Sequence, residues 1–190
     1  MLTIVTLFGH SRDNLVRLVG ELRHMVSDWV VLLDKGMEPV ELCHCFPAVH
    51  EDGFDAGALR RQALAHVHTQ WVLHLDSDEW YTALQLTAIV QTMKTCPKEV
   101  DCIKLPRRNI ETNADWVGWP DLRPVVHRNA AHIFWRGRVE EWPTGAKRME
   151  SVMDAGAAIL HLHLDVAARN VMAEARTDAE SRSKLEQHSK

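Results

Sequence analysis

The sequence lacks any apolar run long enough to cross a bilayer. Among its 190 residues, the longest apolar stretch of the first half, Trp29 to Leu33, contains only five, whereas a membrane helix needs roughly 20. The apolar start, Met1 to Phe8, has neither the basic flank nor the small-residue cleavage site of a signal peptide. We therefore expect a cytoplasmic protein without an integral membrane segment.

Cysteine content and net charge are also low. The four cysteines, at positions 43, 45, 96 and 102, form neither a Cys-x-x-Cys pair nor the framework of a small disulfide-bonded scaffold, which predicts reduced thiols. The net charge is only -4, so overall charge does not predict non-specific binding to nucleic acid. An apolar fraction of 46% excludes a disordered chain and fits one compact domain.

The first half of the chain alternates short apolar runs with amphipathic stretches, which is typical of βαβ units that build a parallel sheet. The predicted strands are Leu2–Phe8, Trp29–Leu33, Val40–Phe46 and Trp71–Leu75. The predicted helices cover residues 11–25, 58–68 and 82–93. We therefore expect an α/β fold with a mostly parallel central sheet flanked by helices.

The second half has a different pattern. Short strands are predicted at Cys102–Leu105, Pro124–His127, Ala131–Trp135 and Ala157–Leu162, and a charged helix is predicted over residues 165–187. The sequence contains no internal repeat and no linker rich in Pro, Gly or Ser. This half is therefore expected to extend the same sheet with short strands and loops.

The most informative motif is WVLHLDSDEW, residues 71–80. An apolar strand delivers Asp76 and Asp78 at its carboxyl end, and ligands of open α/β sheets bind in the crevice outside such ends. Two carboxylates spaced i, i+2 can share one hard divalent cation and leave its other positions for water and phosphate oxygens. A second acidic strand end, at Asp34, and an Arg-containing helix before the motif strengthen this interpretation.

This arrangement resembles the family 2 glycosyltransferases of the GT-A fold, which use nucleotide-diphosphate sugars. The segment GALRRQALAHVHTQWVLHLDSDEW, residues 57–80, is similar to the family segment in which an Arg-Asn pair opens a helix and the next strand runs into Asp-Ala-Asp-Glu. Arg61 stands at the position of the family's Arg, and Gln62 replaces its Asn. The resemblance covers roughly residues 2–165.

Two later segments are also similar to the family. RPVVHRNAAHIFWRGRVEEWPTG, residues 123–145, resembles an acceptor-side segment with a Gly-x-Val-His-Glu-like stretch, in which Glu141 falls on the family's Glu and Glu140 replaces its His. AILHLHL, residues 158–164, resembles a late strand that supplies a His near the metal. His161 or His163 would fill that place.

The resemblance implies one GT-A domain over residues 1–190. Residues 1–97 would form the nucleotide-sugar-binding half, residues 98–164 the acceptor-side half, and residues 165–190 a C-terminal helix. The implied enzyme is a metal-dependent hexosyltransferase that moves a sugar from a nucleotide-diphosphate sugar to an acceptor hydroxyl, with inversion at the anomeric carbon. A UDP-sugar is the expected donor.

The resemblance also implies which residues hold the metal and the diphosphate. Asp78, with Asp76 directly or through water, would bind Mn2+ or Mg2+ against the donor diphosphate. His161 or His163 would contribute a further ligand. Arg61 would contact the diphosphate, a role that suits the forked donors of a guanidinium and the positive end of a nearby helix.

The nucleoside and the acceptor would be served by other residues. The nucleoside would lie near Thr6, Phe8 and Asp34, where the Asp34 carboxylate would accept a hydrogen bond from the base or ribose. A carboxylate at the mouth of the site would take the proton of the acceptor hydroxyl. The resemblance assigns that role to Glu141, with Glu140 as the alternative.

The sequence leaves two classes of acceptor open. Residues 104–138 contain seven Lys and Arg against three acids, and this region carries tryptophans at positions 116, 119 and 135, with another at 142. Aromatic rings interleaved with arginines suit sugar rings as well as unstacked bases. The acceptor is therefore expected to be a saccharide or lipid-linked saccharide, or a hydroxymethylated pyrimidine base in DNA, as for compact viral glucosyltransferases.

Two other functional classes stay open at this point. Several family positions are altered, which is compatible with a non-catalytic module that binds a nucleotide sugar or a glycan. The paired aspartates are also compatible with a metal-dependent phosphohydrolase. The complete Asp-x-Asp motif favours the transferase over both.

Overall fold

Parallel strands form the first half of the sheet. β1 (Leu2–Phe8) pairs with β2 (Asp28–Leu33) on one side, and β3 (His44–Pro47) lies outside β2. On its other side β1 pairs with β4 (Trp71–His74). Most residues of the three inner strands are buried, as in a parallel sheet that is covered on both faces.

The computed structural model describes a defined part of the chain. The described residues are 1–8, 12–51, 53–111, 114–115, 121–137, 142–151 and 159–162. Within them no helix is long and apolar enough to span a membrane. The predicted helix over residues 165–187 lies outside the described residues.

The described α-helices are α1 (Arg12–Leu22), α2 (Ala56–Leu64) and α3 (Ala83–Thr95). The starts of α2 and α3 carry capping side chains. The Asp55 carboxylate accepts a hydrogen bond from the Ala58 amide at 2.8 Å at the start of α2. Thr82 and Gln85 form a reciprocal capping box at the start of α3.

Helices cover both faces of the sheet. Alternate residues of each strand point to opposite faces, and buried apolar residues on each face pack against helices. One hydrophobic cluster joins α1 and α3 to one face through residues such as Leu15 and Ile89, with Trp29 among the strand residues. A second cluster joins α2 to the other face, where Leu59 packs with Val5. The sheet therefore lies between two helical layers.

The remaining part of the sheet has mixed strand directions. Its strands are β5 (Glu79–Trp80), β6 (Cys102–Glu111), β7 (Ala114–Asp115), β8 (Asp121–Arg128), β11 (Met149–Ser151) and β12 (Ile159–Leu162). The main strand order is β3-β2-β1-β4-β8-β6-β12-β5, while β7 and β11 pair with β6. β9 (Phe134–Arg136) and β10 (Trp142–Thr144) form a separate antiparallel hairpin.

Several predicted boundaries are wrong, and local turns explain them. The strand predicted at Val40–Phe46 begins at His44, because residues 41–43 form a turn in which Leu42 has a left-handed φ of 65°. The strand predicted at Ala131–Trp135 begins at Phe134. There the amide of Ile133 donates to the carbonyl of Ala130 and closes a turn.

Candidate functional site

Three predicted site residues lie at one edge of the sheet. Asp34 directly follows β2, and Asp76 and Asp78 follow the end of β4. β1 lies between these strands, and all three run parallel, so their carboxyl ends share an edge. The chain proceeds from β1 to β2 and β3 on one side but places β4 on the other. Such a switch point is where open α/β sheets bind ligands.

The Asp-x-Asp segment is a tight turn that its neighbours hold in place. The amide of Glu79 donates to the carbonyl of Asp76, and the Glu79 carboxylate accepts from the Asp76 amide, both at 3.0 Å. Asn14 of α1 donates through its side-chain amide to the carbonyls of Ser77 and Glu79, at 2.7 and 3.0 Å. Together these bonds fix the turn that presents Asp76 and Asp78.

The Asp76 carboxylate is bound by Arg60, on the buried side of α2. The Nη2 atom of Arg60 donates to both carboxylate oxygens, at 2.9 and 3.1 Å. The Arg60 side chain is 5% exposed, against 38% for Asp76. Arg60 therefore reaches Asp76 from inside the protein and leaves the other side of the carboxylate toward solvent.

The same guanidinium touches a buried pair of histidines. The Nη1 atom of Arg60 lies 3.3 Å from Nδ1 of His74, and Nε2 of His74 lies 3.0 Å from Nε2 of His127. The indole of Trp135 donates to that same His127 nitrogen at 3.1 Å. Arg60, His74, His127 and Trp135 form one buried network behind Asp76, which we call the Arg60 network.

Burial keeps both histidines neutral at physiological pH. It lowers the pKa of His74 well below its ordinary value, and the nearby Arg60 charge and His127 act in the same direction. Burial also lowers the pKa of His127 to about 4, even though its hydrogen bond to the Arg128 carbonyl favours the charged form. The network therefore carries the positive charge of Arg60 without further charge on the imidazoles.

A buried phenol lies close to the same turn. The Tyr81 side chain is fully buried, and its hydroxyl has no hydrogen-bond partner within the described part of the chain. Burial raises the pKa of Tyr81 well above its ordinary value, and the carboxylates of Glu79 and Asp76 add to that effect. The phenol is thus neutral at physiological pH.

The Asp34 end of the edge has a second contact. Oδ1 of Asp34 lies 3.0 Å from Nε2 of His50, which follows β3. The rings of His50 and Phe54 are 6.4 Å apart, and Phe54 is 48% exposed. Gln62 holds this segment through two hydrogen bonds with the backbone of Val49.

Thr6 and Phe8 lie inside the core. The Thr6 hydroxyl accepts a hydrogen bond from the Trp29 indole at 3.0 Å, and Thr6 is completely buried. Phe8 is 2% exposed and belongs to the core cluster on one face of the sheet. Their side chains therefore do not reach the open edge where a nucleoside would bind.

Arg61 reaches the backbone of β9. Its guanidinium donates to the carbonyl oxygen of Trp135, and the residue is exposed on α2. The structure thus brings the preceding residue, Arg60, to the Asp-x-Asp turn.

The remaining predicted residues are the two glutamates and the two late histidines. Glu140, Glu141 and His163 lie outside the described residues. The backbone of His161 pairs with that of Glu79 in adjacent antiparallel strands, one residue after Asp78. The fold therefore brings the backbone of the late histidine strand beside the Asp-x-Asp turn.

The carboxylates at this edge suit a hard divalent cation in their chemistry. Oxygen ligands such as those of Asp76 and Asp78 are preferred by Mg2+ and Mn2+. Arg60 bonds both oxygens of Asp76. No group of three or more His, Cys, Asp or Glu that could hold a metal occurs within the described ranges.

The basic, aromatic region of the second half is largely engaged in internal contacts where it is described. Arg107 and Arg123 both donate to the Asp121 carboxylate, at 3.1 and 2.9 Å. The Arg128 guanidinium lies 4.4 Å from the centre of the Trp71 ring. Trp135 is 2% exposed, so it belongs to the core rather than to an open binding surface.

Comparison with known proteins identifies the family. A family model described as glycosyl transferase family 2 matches residues 41–150, which is more than half of the chain. The chain belongs to glycosyl transferase family 2. This match confirms the family resemblance that the Asp76 and Asp78 motif predicts. A search of curated protein sequences found no significant match.

Structures of TarS from S. aureus share the fold. TarS 1–349 in complex with UDP-GlcNAc has a TM-score of 0.62 at 12% identity and is matched over 86% of this chain and 59% of that one. A second TarS 1–349 structure has a TM-score of 0.63 at 14% identity, over 85% and 60%. A structure of TarS has a TM-score of 0.61 at 13% identity, over 85% and 36%.

These matches confirm the predicted fold class. At such low identities the likeness shows the fold alone, and this family member spans at most 60% of the TarS chains that it matches. The mixed sheet with its helical layers is the GT-A fold of the family.

Sequence reasoning missed the Arg60 network and His50. Arg60 stands sixteen residues before Asp76, but only the helical phase of α2 reveals which of the two adjacent arginines is buried. His74 interrupts an otherwise apolar strand, and this was the available signal for a buried polar contact. Nothing local to His50 indicates that it meets Asp34.

Proposed function

We propose that this chain transfers a sugar from a UDP-sugar to an acceptor hydroxyl. The observation that carries the proposal is the pair of aspartates at the carboxyl end of β4, at the switch point of a family 2 glycosyltransferase fold. The likeness to TarS, which was solved with UDP-GlcNAc, supports UDP-GlcNAc as the first donor to test. The free cysteines are compatible with a reaction in the cytoplasm.

The donor would lie across the edge between β2 and β4. The nucleoside would bind at the Asp34 end. The Asp34 side chain is 47% exposed, and its carboxylate can accept a hydrogen bond. Asp78, with Asp76 directly or through water, would hold Mn2+ or Mg2+ at the diphosphate. Such a cation would neutralise charge on the departing nucleoside diphosphate. Arg61 stays a candidate for the diphosphate, and its exposure leaves it accessible.

The acceptor would approach from the second half of the chain. Glu141, or else Glu140, would remove the proton from the acceptor hydroxyl, and the reaction would invert the anomeric carbon. These assignments are supported by the resemblance to the family. We favour a saccharide or lipid-linked saccharide over hydroxymethylated DNA, because Arg107, Arg123 and Arg128 are engaged within the protein.

The decisive experiment measures binding and turnover together. Calorimetry with UDP-GlcNAc and other nucleotide sugars, with and without Mn2+, is combined with product analysis after incubation with oligosaccharide acceptors. We expect metal-dependent binding and sugar transfer. The double variant Asp76→Asn/Asp78→Asn should lose both. Glu150→Gln is the control, because the Glu150 side chain forms an exposed ion pair with Arg148.

Each other outcome selects a different function. Binding without product would indicate a non-catalytic binding module, and release of phosphate would indicate a phosphohydrolase. Transfer to hydroxymethylpyrimidine DNA but not to oligosaccharides would indicate the DNA glucosyltransferase. Full turnover by Glu141→Gln would refute the assignment of the base. Unchanged donor affinity in the double Asn variant would refute the proposed donor site.

A further inference from the structure

We propose that His74 and His127 are positioning residues that hold Arg60, and through Arg60 the carboxylate of Asp76, in the orientation needed for donor binding. The inference rests on the proposed function, because it concerns the same Asp76. It assigns a role to two histidines that lie behind Arg60 in the Arg60 network.

The hydrogen-bond directions in the network are determined by its two ends. A guanidinium can only donate, so Nδ1 of His74 accepts from Arg60. A neutral His74 then carries its proton on Nε2 and donates to Nε2 of His127. His127 in turn donates from Nδ1 to the Arg128 carbonyl at 2.8 Å. The indole of Trp135 can only donate, so it shares the single lone pair of His127 Nε2 with the donor from His74.

The network connects parts of the fold that are distant in sequence. His74 ends β4 immediately before the Asp-x-Asp segment, and His127 lies on the neighbouring β8. Arg60 comes from α2, and Trp135 comes from the β9–β10 hairpin. The orientation of the Asp76 carboxylate thereby depends on the position of the β9–β10 hairpin.

Burial indicates that the network serves more than packing. His74 and His127 are each 1% exposed, and Arg60 is 4% exposed. Buried polar groups lower stability unless their hydrogen bonds are satisfied, and an apolar residue on β4 would fill the same core. The two imidazoles instead restrict the rotation of the Arg60 guanidinium, a planar donor that bonds both oxygens of Asp76.

The test compares two replacements of nearly equal shape at position 74. His74→Asn keeps a side-chain acceptor near the place of Nδ1, whereas His74→Leu removes it. We measure UDP affinity by calorimetry with Mn2+, and thermal unfolding for the same samples. His74→Leu should weaken UDP binding by roughly tenfold, the size expected for one hydrogen bond to a charged group, and His74→Asn by clearly less. The Leu variant should nevertheless unfold at the same or a higher temperature than the Asn variant.

A matched pair at position 127 covers the case in which the His74 variants do not fold. His127→Gln can keep an acceptor near Nε2, and His127→Leu cannot, so the Leu variant should again bind UDP more weakly. Trp29→Phe is the control, since it removes a buried indole hydrogen bond outside the network and should leave UDP affinity unchanged.

The outcomes separate this inference from the proposed function. If the wild-type protein binds no UDP with Mn2+, the proposed function fails and the inference fails with it. If the wild-type protein binds UDP but the Asn and Leu variants bind equally, only the inference is overturned. UDP affinities that simply follow thermal stability across the variants would also overturn it, because they would show a purely structural role.

Discussion

Gly57 of α2 is in direct contact with Gly137 at the end of β9. The Gly57 amide donates to the Gly137 carbonyl oxygen at 3.1 Å. A Cβ atom on Gly57 would lie only 2.6 Å from that oxygen. The absence of a side chain therefore allows the first turn of α2, the helix that carries Arg60, to approach the hairpin that carries Trp135.

We predict that Gly57→Ala destabilises the protein. The new methyl group would overlap backbone that cannot easily move, and overpacking of this kind typically costs about 1–3 kcal/mol. Gly20→Ala is the matched control, because Gly20 lies inside α1 with nothing within 4 Å of the added Cβ. That control should stabilise the chain by up to about 1 kcal/mol. Urea denaturation of both variants tests the pair, and equal stabilities would contradict the close contact.

Arg60 and Arg61 should differ when each is replaced by Lys. Arg60→Lys loses the geometry with which one guanidinium bonds both oxygens of Asp76, so we expect a loss of roughly tenfold or more in UDP affinity with Mn2+. Arg61→Lys keeps a positive charge at an exposed position and should have a smaller effect. A larger loss for Arg61→Lys in the same calorimetric assay would identify Arg61 as the essential arginine.

Asn14 should matter for the Asp-x-Asp turn rather than for α1 alone. Asn14→Ala removes two buried hydrogen bonds to the carbonyls of Ser77 and Glu79, and we expect a loss of about 1–3 kcal/mol in the free energy of unfolding. Donor affinity should fall as the turn loosens. Asn129→Ala is the control, since Asn129 donates to the Val67 carbonyl outside the edge of the sheet and should leave donor affinity unchanged.

Stability should decrease on mild acidification. The pKa of His127 is lowered from 6.5 to about 4 in the folded protein, so the unfolded chain binds the proton first as the pH falls. The contribution of His127 to the free energy of unfolding is complete above about pH 6.5. It is lost as the pH falls toward about 4, and its size is of the order of 3 kcal/mol. His74 acts in the same direction.

Urea denaturation between pH 7.5 and 4.5 measures this effect. Replacement of His127 by Gln should reduce the dependence of stability on pH in that range, whereas replacement of the exposed His68 by Gln should preserve it. A pH-independent free energy of unfolding in the wild-type protein would show that these histidines are not held neutral. A loss of stability below about pH 3.8 would instead report on groups such as Asp101. The pKa of Asp101 is lowered, because its hydrogen bonds outweigh the effect of its burial.

The central strands and the Asp-x-Asp edge could be predicted from the sequence because their signals are local. A continuous apolar run such as Trp71–Leu75 cannot be exposed on both sides, and acidic residues directly after it must lie at the strand end. Short elements were harder to predict. β5 and β7 contain two residues each and depend on pairing with distant strands, as β5 does with β12.

The identity of the arginine that meets Asp76 illustrates what sequence pattern alone leaves open. Adjacent helical residues point about 100° apart, so one of Arg60 and Arg61 must face the sheet when the other faces solvent. The two arginines have nearly the same neighbours in the sequence, so local pattern does not distinguish them. The rotation of the helix was decided by its N-cap at Asp55 and by the packing of Leu59 and Ala63 against the sheet.

The sequence by itself determined the parallel α/β core, the paired aspartates at a strand end and the family resemblance, because each depends on the order and polarity of neighbouring residues. Only the tertiary structure decided that Arg60 holds Asp76 and that His127 and Trp135 lie behind it. Those contacts join residues from separate elements, and their formation depends on the free energy of packing the whole sheet and its helices.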